Sequence, residues 1–277
     1  MTPEERLDRH QAIAAALEAI GDEDLAEWLG ASEPLRRDGF ARLTLPGGGS
    51  PAFVKLLPVT DLELEPHNWL STANCFGLPP CYGYRIGAAG FGVRRELGAH
   101  EIANRWVVAG ERVQFPLMHG HRLVPIARPV LPTPVWPNPW GYDPAVAARH
   151  AAIERSSHCV AVFLEAFPGN LLQWFRDRPA GIPGAEDDVL RLEPQLLELT
   201  VFIKERGLLH MDAHFENIAT DGEEIYFVDF GLALSDTFEL AEPETTFIER
   251  HRCFDGVTAM TSLVHAIFTR HAGSRLA

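Results

Sequence analysis

Residues 210 to 217 read His-Met-Asp-Ala-His-Phe-Glu-Asn, and Asp229-Phe230-Gly231 follows twelve residues after that Asn. An Asp followed five residues later by an Asn, and then a second Asp before Phe-Gly, supplies a base and hard oxygen ligands for phosphoryl transfer. Moving a γ-phosphoryl group requires charge to be neutralised on its oxygens and an acceptor hydroxyl to be held in line. Asp and Asn oxygens suit Mg²⁺, and a carboxylate free of the metal can orient or take the hydroxyl proton. Matched to that layout, Asp212 occupies the base position and Asn217 and Asp229 the metal positions.

The flanking sequence must hold these groups in place. Leu190 to Lys204 carries Leu, Val, Phe and Ile at helical spacing, and Gly207 is a C-terminal stop. Ile218-Ala219-Thr220 and Ile225-Tyr226-Phe227-Val228 read as short strands joined at an Asp221-Gly222 turn. A hairpin of that length sets Asn217 and Asp229 at its open end, close enough to share a cation.

These roughly thirty residues resemble the protein-kinase-like superfamily. His214, two residues after Asp212, is closer to the His-x-Asp-x-His-x-x-Asn pattern of the aminoglycoside phosphotransferase and choline kinase branch than to protein kinases, which usually carry Lys there. More loosely, the chain resembles uncharacterised actinobacterial kinase-like proteins. The resemblance implies an α+β, two-lobed fold with a β-rich N-lobe and a short helical C-lobe. It implies ATP and Mg²⁺ as cofactors. It also implies that His210 ties the catalytic loop to Asp229-Phe230-Gly231, and that His214 touches phosphate or holds the loop.

Upstream, Ala41 to Leu45 and Ala52 to Leu57 read as two strands around Pro46-Gly47-Gly48-Gly49-Ser50. Lys55 lies inside the second. Strand alternation allows it to be an outward-facing edge lysine. The likeness of Phe53-Val54-Lys55 to the kinase Val-Ala-Ile-Lys strand makes it instead the lysine that meets the nucleotide phosphates. Gly47 to Gly49 lies between the strands and is an ordinary turn. The phosphate loop then falls on Arg36 to Ala41, with Gly39 its single glycine.

The helix expected over Val93 to Val108 offers Glu96 and Glu101 as partners for Lys55. Five residues apart, they point in different directions, and Glu96 is favoured. Before that helix, residues 60 to 92 depart from the family pattern. They end in Gly87-Ala88-Ala89-Gly90-Phe91-Gly92, where a flexible insert or substrate lid is favoured over a turn that contacts phosphate directly, and no preceding strand supports a dinucleotide motif.

Residues 125 to 144 hold seven prolines with Trp136 and Trp140, an ordered loop that leads into a helix over Ala145 to Glu154. Cys159 to Phe167 is a nearly continuous apolar run and reads as a buried strand. By the resemblance it ends in the hinge, where backbone groups of Glu165 and Phe167 meet the adenine edge. Phe247 to Thr269 supplies one or two helices, with Asp255 bracing the catalytic loop, and Glu242-Pro243-Glu244 faintly resembles the Ala-Pro-Glu of protein kinases.

The chain has 277 residues, 46% hydrophobic and 22% charged, as a globular protein does. Its net charge of −14 argues against nucleic acid and against an anionic membrane surface as partners. No apolar run is long enough to span a membrane, and the acidic N-terminus is not a secretory signal. Cys75, Cys81, Cys159 and Cys253 form no Cys-x-x-Cys pair, which fits reduced thiols in the cytoplasm. Zinc held by Cys75, Cys81 and the His119/His121 pair is a further possibility, although the spacing matches no common pattern.

The expected organisation is a helical extension over 1–31, an N-lobe over 32–166 with the insert at 60–92 and the Pro-rich loop at 125–144, and a C-lobe over 167–277. The expected function is ATP- and Mg²⁺-dependent phosphoryl transfer to a hydroxyl, with a small-molecule acceptor favoured over a specific protein. Ser/Thr protein kinase, nucleotide-binding pseudokinase and nucleotidyl transferase acting on a protein partner stay open, as do the acceptor's identity and the oligomeric state.

Overall fold

The structure is a computed structural model that describes residues 1–84, 90–125, 143–178 and 185–273. It is mixed α+β with an antiparallel sheet. The Pro-rich segment, with Trp136 and Trp140, and the Gly87-Ala88-Ala89 part of the glycine-rich insert lie outside the described residues.

Four strands form the main sheet: β1 (Phe40–Thr44), β2 (Pro51–Val59), β3 (Met118–Val124) and β4 (His158–Glu165), in the order β1-β2-β4-β3. Alternation along β4 explains why its sequence is apolar throughout. Cys159, Ala161 and Phe163 face one side with Val54 and Leu56, where α1 (Pro3–Ala19), α2 (Asp22–Ala31) and α3 (Glu33–Asp38) cover the sheet through Leu17, Leu25, Leu29 and Leu35. Val160, Val162 and Leu164 face the other side, with Leu57 and with Val93 and Leu97 of α5 (Val93–Val108). A strand buried on both faces needs apolar side chains at every position. Lys55 falls on the α5 side of β2, so it points inward and is not an outward edge lysine.

The insert folds around a buried carboxylate. Thr60 and Glu63 form a capping box for the short α4 (Asp61–Leu64). Glu63 also takes the Val93 N–H at 3.0 Å and the Arg149 guanidinium at 2.7 Å. Arg149 belongs to α6 (Pro144–Arg155). Leu78 before a 3₁₀ turn at Pro80–Tyr84, Tyr82 within it and Phe91 beyond it pack with Met211, Leu232 and Phe247.

The C-terminal half begins with a two-residue strand, β5 (Gly169–Asn170), then α7 (Leu171–Arg176) and α8 (Ala185–Glu205). Gly207, in the left-handed region at φ 71°, ends α8. The pairs β6 (Leu208–Leu209) with β9 (Leu234–Ser235), and β7 (Ile218–Thr220) with β8 (Ile225–Phe227), bracket the segments 210–217 and 229–231. Last come α9 (Glu242–Arg250) and α10 (Phe254–Gly273). α9 begins at Glu242, five residues earlier than the sequence pattern placed it, because Pro243 fits the first turn of a helix.

One expectation is corrected. Arg36 to Asp38 is the end of α3, not a phosphate loop. Gly39 caps that helix at φ 82°, and its carbonyl accepts the Leu56 N–H at 2.7 Å. No strand precedes β1 among the described residues, so the hairpin that would carry such a loop is replaced by α1 to α3. The sequence also gave no sign of β3, whose Met-His-Gly-His-Arg-Leu-Val lacks a clear alternation.

Candidate active site

Lys55 Nζ lies 2.7 Å from Glu96 Oε1 and 2.7 Å from Asp229 Oδ1. β2 carries the lysine, the first turn of α5 carries the glutamate, and the open end of the β7–β8 hairpin carries the aspartate. Burial works against the Lys55 charge, but Asp229 and Glu96 outweigh it and hold the ammonium's pKa above the ordinary range. Burial likewise opposes ionisation of Asp229, yet Lys55 and the Gly231 N–H leave that carboxyl below the usual carboxylate range. For Glu96, burial wins over Lys55, and its pKa is raised. The carboxylate that favours its charge is thus Asp229, with 46% of its side chain exposed, against 9% for Glu96. Glu101 is turned away and meets Arg94 at 3.7 Å.

The loop around Asp212 is tied by its own side chains. His210 Nε2 lies 2.8 Å from the Val228 carbonyl and donates to it, which leaves Nδ1 to accept the Asp212 N–H at 3.3 Å. The loop carrying Asp212 is thereby fastened to the residue before Asp229. His214 Nδ1 accepts the Glu216 N–H, so the ring proton sits on Nε2, 3.4 Å from Asp212 Oδ1. Asn217 Nδ2 donates to Asp212 Oδ2 at 2.9 Å and to its carbonyl at 3.0 Å. Asn217 O in turn accepts the Val228 N–H at 3.0 Å, which closes the hairpin mouth.

Two residues here occupy the left-handed backbone region without being glycine, Met211 at φ 64° and Asp229 at φ 62°. Each stands beside a candidate chemical group, and such conformations cost about 1 kcal/mol or more unless neighbours enforce them. Phe230 supplies one constraint, since its ring is buried between His100 at 5.1 Å and His210 at 5.0 Å. Gly90 supplies another. Its backbone packs so closely on the Gly231 carbonyl that a β-carbon has no room. The glycine-rich insert therefore ends directly against Asp229-Phe230-Gly231.

At the end of β4, the Glu165 carboxylate is occupied. Arg6 of α1 grips it at 2.8 and 2.6 Å and also donates to the carbonyls of Val113 and Phe115. The Arg6 guanidinium lies over the Tyr226 ring, and that ring stacks on Phe167 at 4.3 Å. Sequence reasoning missed Arg6 and Tyr226. The available signal was that Arg6 shares a helical stripe with Ile13 and Leu17, where a charge needs a partner.

The zinc alternative does not assemble. Among the described residues no three His, Cys, Asp or Glu side chains gather as a metal site. His119 faces His10 instead, with 2.9 Å between the Nδ1 atoms. Glu244, in the Glu-Pro-Glu segment, is locked in a buried pair with Arg95 at 2.8 Å. No helix among the described residues is long and apolar enough to cross a membrane.

No protein-family model matches the chain, and no curated protein matches it. The functional reading therefore rests on the residues themselves.

Proposed function

We propose that the protein is an ATP- and Mg²⁺-dependent phosphotransferase of the protein-kinase-like superfamily, acting on a hydroxyl of a small molecule. The observation that carries this reading is Lys55 held at 2.7 Å by both Glu96 and Asp229, beside a loop that presents Asp212 and Asn217. In this reading the sheet with α5 is the N-lobe, and α7 to α10 with the hairpins form a short C-lobe.

Each side chain has a distinct task. Lys55 contacts the α- and β-phosphates, and Glu96 fixes its position. The exposed Asp229 carboxylate and Asn217 Oδ1 would hold Mg²⁺. The Asn217 amide nitrogen is already turned to Asp212, which leaves the hard oxygen for the ion. The ion supplies charge neutralisation on the phosphates. Asp212 accepts the acceptor hydroxyl's hydrogen bond and orients it for in-line attack, with His214 steadying the carboxylate. At the hinge, the Glu165 carbonyl and Phe167 N–H meet the adenine edge while the Glu165 side chain stays with Arg6. Gly39 has no part in this scheme.

A small acceptor is favoured because His214 stands two residues after Asp212, as in the His-x-Asp-x-His-x-x-Asn pattern of the aminoglycoside phosphotransferase and choline kinase branch. The Asp212 side chain keeps only 15% of its surface exposed.

The test is thermal unfolding with ATP, Mg²⁺ and both together, followed by mass spectrometry of a metabolite pool incubated with the protein. Binding to the native state raises the melting temperature, and ATP plus Mg²⁺ should raise it most. Phosphoryl additions to small molecules support the reading. Adenylyl additions, or no shift at millimolar ATP plus Mg²⁺, overturn it.

A further inference from the structure

α5 carries two stripes that face different parts of the molecule. Glu96 and His100, four residues apart, face the site. Glu96 meets Lys55 at 2.7 Å, and the His100 ring lies edge-on to Phe230. Arg95, Gly98 and Ile102, at intervals of three and four, face the segment that follows Asp229-Phe230-Gly231. Arg95 pairs with Glu244 of α9 at 2.8 Å. A β-carbon on Gly98 would stand 3.1 Å from the Phe238 ring, and Ile102 shares a buried cluster with Phe238.

Arg95 is held from three sides. Its Nη1 donates to Glu244, its Nε donates to the Thr72 carbonyl at 2.7 Å, and its guanidinium lies over the Phe91 ring at 5.0 Å. The Thr72 hydroxyl in turn accepts the Glu239 N–H at 2.8 Å. The other Glu244 oxygen accepts the Ala241 N–H at 3.0 Å, so the pair is tied to the start of α9. The Arg95 and Glu244 side chains are only 3 and 4% exposed. α5 does not fix its own beginning, because Gly92 precedes it without a side chain that could cap it, and the Val93 N–H is taken by Glu63 of the insert.

We infer that Arg95 is a positioning residue for Lys55: its buried pair with Glu244 sets the rotation of α5 that brings Glu96 to the lysine. Adjacent residues on a helix project about 100° apart, so fixing the direction of Arg95 fixes that of Glu96. A rotation of about 30° moves a group about 6 Å from the helix axis by about 3 Å, enough to separate Glu96 from Lys55. A buried ion pair adds little or nothing to stability over apolar side chains of the same volume, and its best-attested use is to select one arrangement among several. The inference rests on the reading of Lys55 as the lysine that meets the nucleotide phosphates, and it gives α9 a part in placing that lysine.

The sequence has two lysines, Lys55 and Lys204, so acetylation by an N-hydroxysuccinimide ester, read by peptide mass spectrometry, compares one with the other. In the wild type Asp229 and Glu96 hold the Lys55 ammonium above its ordinary range, so at about pH 9 little free amine forms and Lys55 reacts slowly relative to Lys204. Arg95→Met/Glu244→Gln removes both charges and keeps an acceptor for the Ala241 N–H. Its Lys55-to-Lys204 ratio should rise about tenfold, the change in free amine that one pKa unit gives. Glu96→Gln should give a rise of similar size, and all three changes together should add nothing further, because Arg95 acts through Glu96. Glu244→Gln alone should shift the ratio in the same direction, and it decides the matter if the double variant does not fold. A wild-type ratio in a folded variant, or a rise that multiplies with that of Glu96→Gln, overturns the inference, because a pair that only holds the fold together acts without Glu96. Failure of the phosphotransferase reading looks different: no protein of the set turns over ATP, while the ratios still follow the expected pattern and the link from α9 to Lys55 stands.

Discussion

Asp255 accepts the backbone N–H of Met211 at 2.8 Å, and so enforces the left-handed conformation of the residue just before Asp212. The same carboxylate accepts the His210 N–H at 2.7 Å. α10 thus holds the loop that carries Asp212 through two hydrogen bonds inside the core. Asp255→Ala strands both N–H groups without partners and should lower stability by about 3 kcal/mol. Asp255→Asn keeps an acceptor and should recover part of that loss. Urea unfolding of the three proteins measures both effects, and equal midpoints for wild type and Asp255→Ala would remove the brace.

Lys55 and Glu96 should behave as one unit. Lys55→Met and Glu96→Gln should each lower ATP turnover strongly, while the double variant should be little worse than either single change. Turnover of the four proteins in a cycle gives the coupling. Losses that simply multiply would show that Glu96 does not act through Lys55.

Much of this arrangement is legible in the sequence, for a physical reason. Asp212, Asn217 and Asp229 sit on one short hairpin and its loop, so spacing alone brings them together, and Glu96 follows from the helix that β2 must face. The alternation of β4 is hidden only because both faces are buried. What stays unreadable depends on long-range partners. Arg6 meets Glu165 across 159 residues, and no local pattern announces that pairing. Gly39 read as a loop glycine because capping a helix and lining a loop both call for a positive φ. Gly90 is similar, for its glycine is demanded by the Gly231 carbonyl, not by its own chain neighbours.

Arg6 is therefore the residue whose replacement tests the hinge. It clamps Glu165 and lies over Tyr226, which stacks on Phe167, so it sets both residues expected at the adenine edge. Arg6→Met keeps the apolar stem of the side chain. It should raise the KM for ATP about tenfold with a much smaller change in kcat, because the lost order affects binding of the base and not the reacting phosphate. It also leaves the Glu165 charge buried, so unfolding must be measured alongside. A change in kcat at constant KM would remove Arg6 from nucleotide positioning.

Asp212→Asn preserves size and hydrogen bonding but deletes the charge. It should cost roughly 10²-fold or more in turnover. Nucleotide affinity, read from the ATP- and Mg²⁺-dependent rise in melting temperature, should stay near wild type, since Lys55, Asn217 and Asp229 are untouched. Full turnover in a folded Asp212→Asn protein would exclude a kinase-type mechanism and leave nucleotidyl transfer or a regulatory binder.

His100 gives the fold a pH dependence of known sign. Its ring is fully buried edge-on to Phe230, and neither nitrogen has a hydrogen-bond partner among the described residues. Burial, with Lys55 nearby, pushes its pKa down to about 3 from an ordinary 6.5. Above pH 6.5 the ring is neutral whether the chain is folded or not. Between that pH and about 3 the unfolded chain binds a proton that the folded chain refuses, so stability falls as pH falls. For one such ring the loss from about pH 7 to about pH 5 is about 2 kcal/mol. His119, also pushed down to about 3, adds a share of its own. His100→Leu replaces the ring with an apolar group that titrates nowhere. It should be about 1 kcal/mol more stable than wild type at neutral pH, having no unsatisfied buried nitrogens. Its advantage should widen as the solution is acidified, because the proton taken up on unfolding is gone. Urea midpoints of the two proteins across that range decide the matter. Parallel curves would mean that His100 is hydrated in solution and titrates normally.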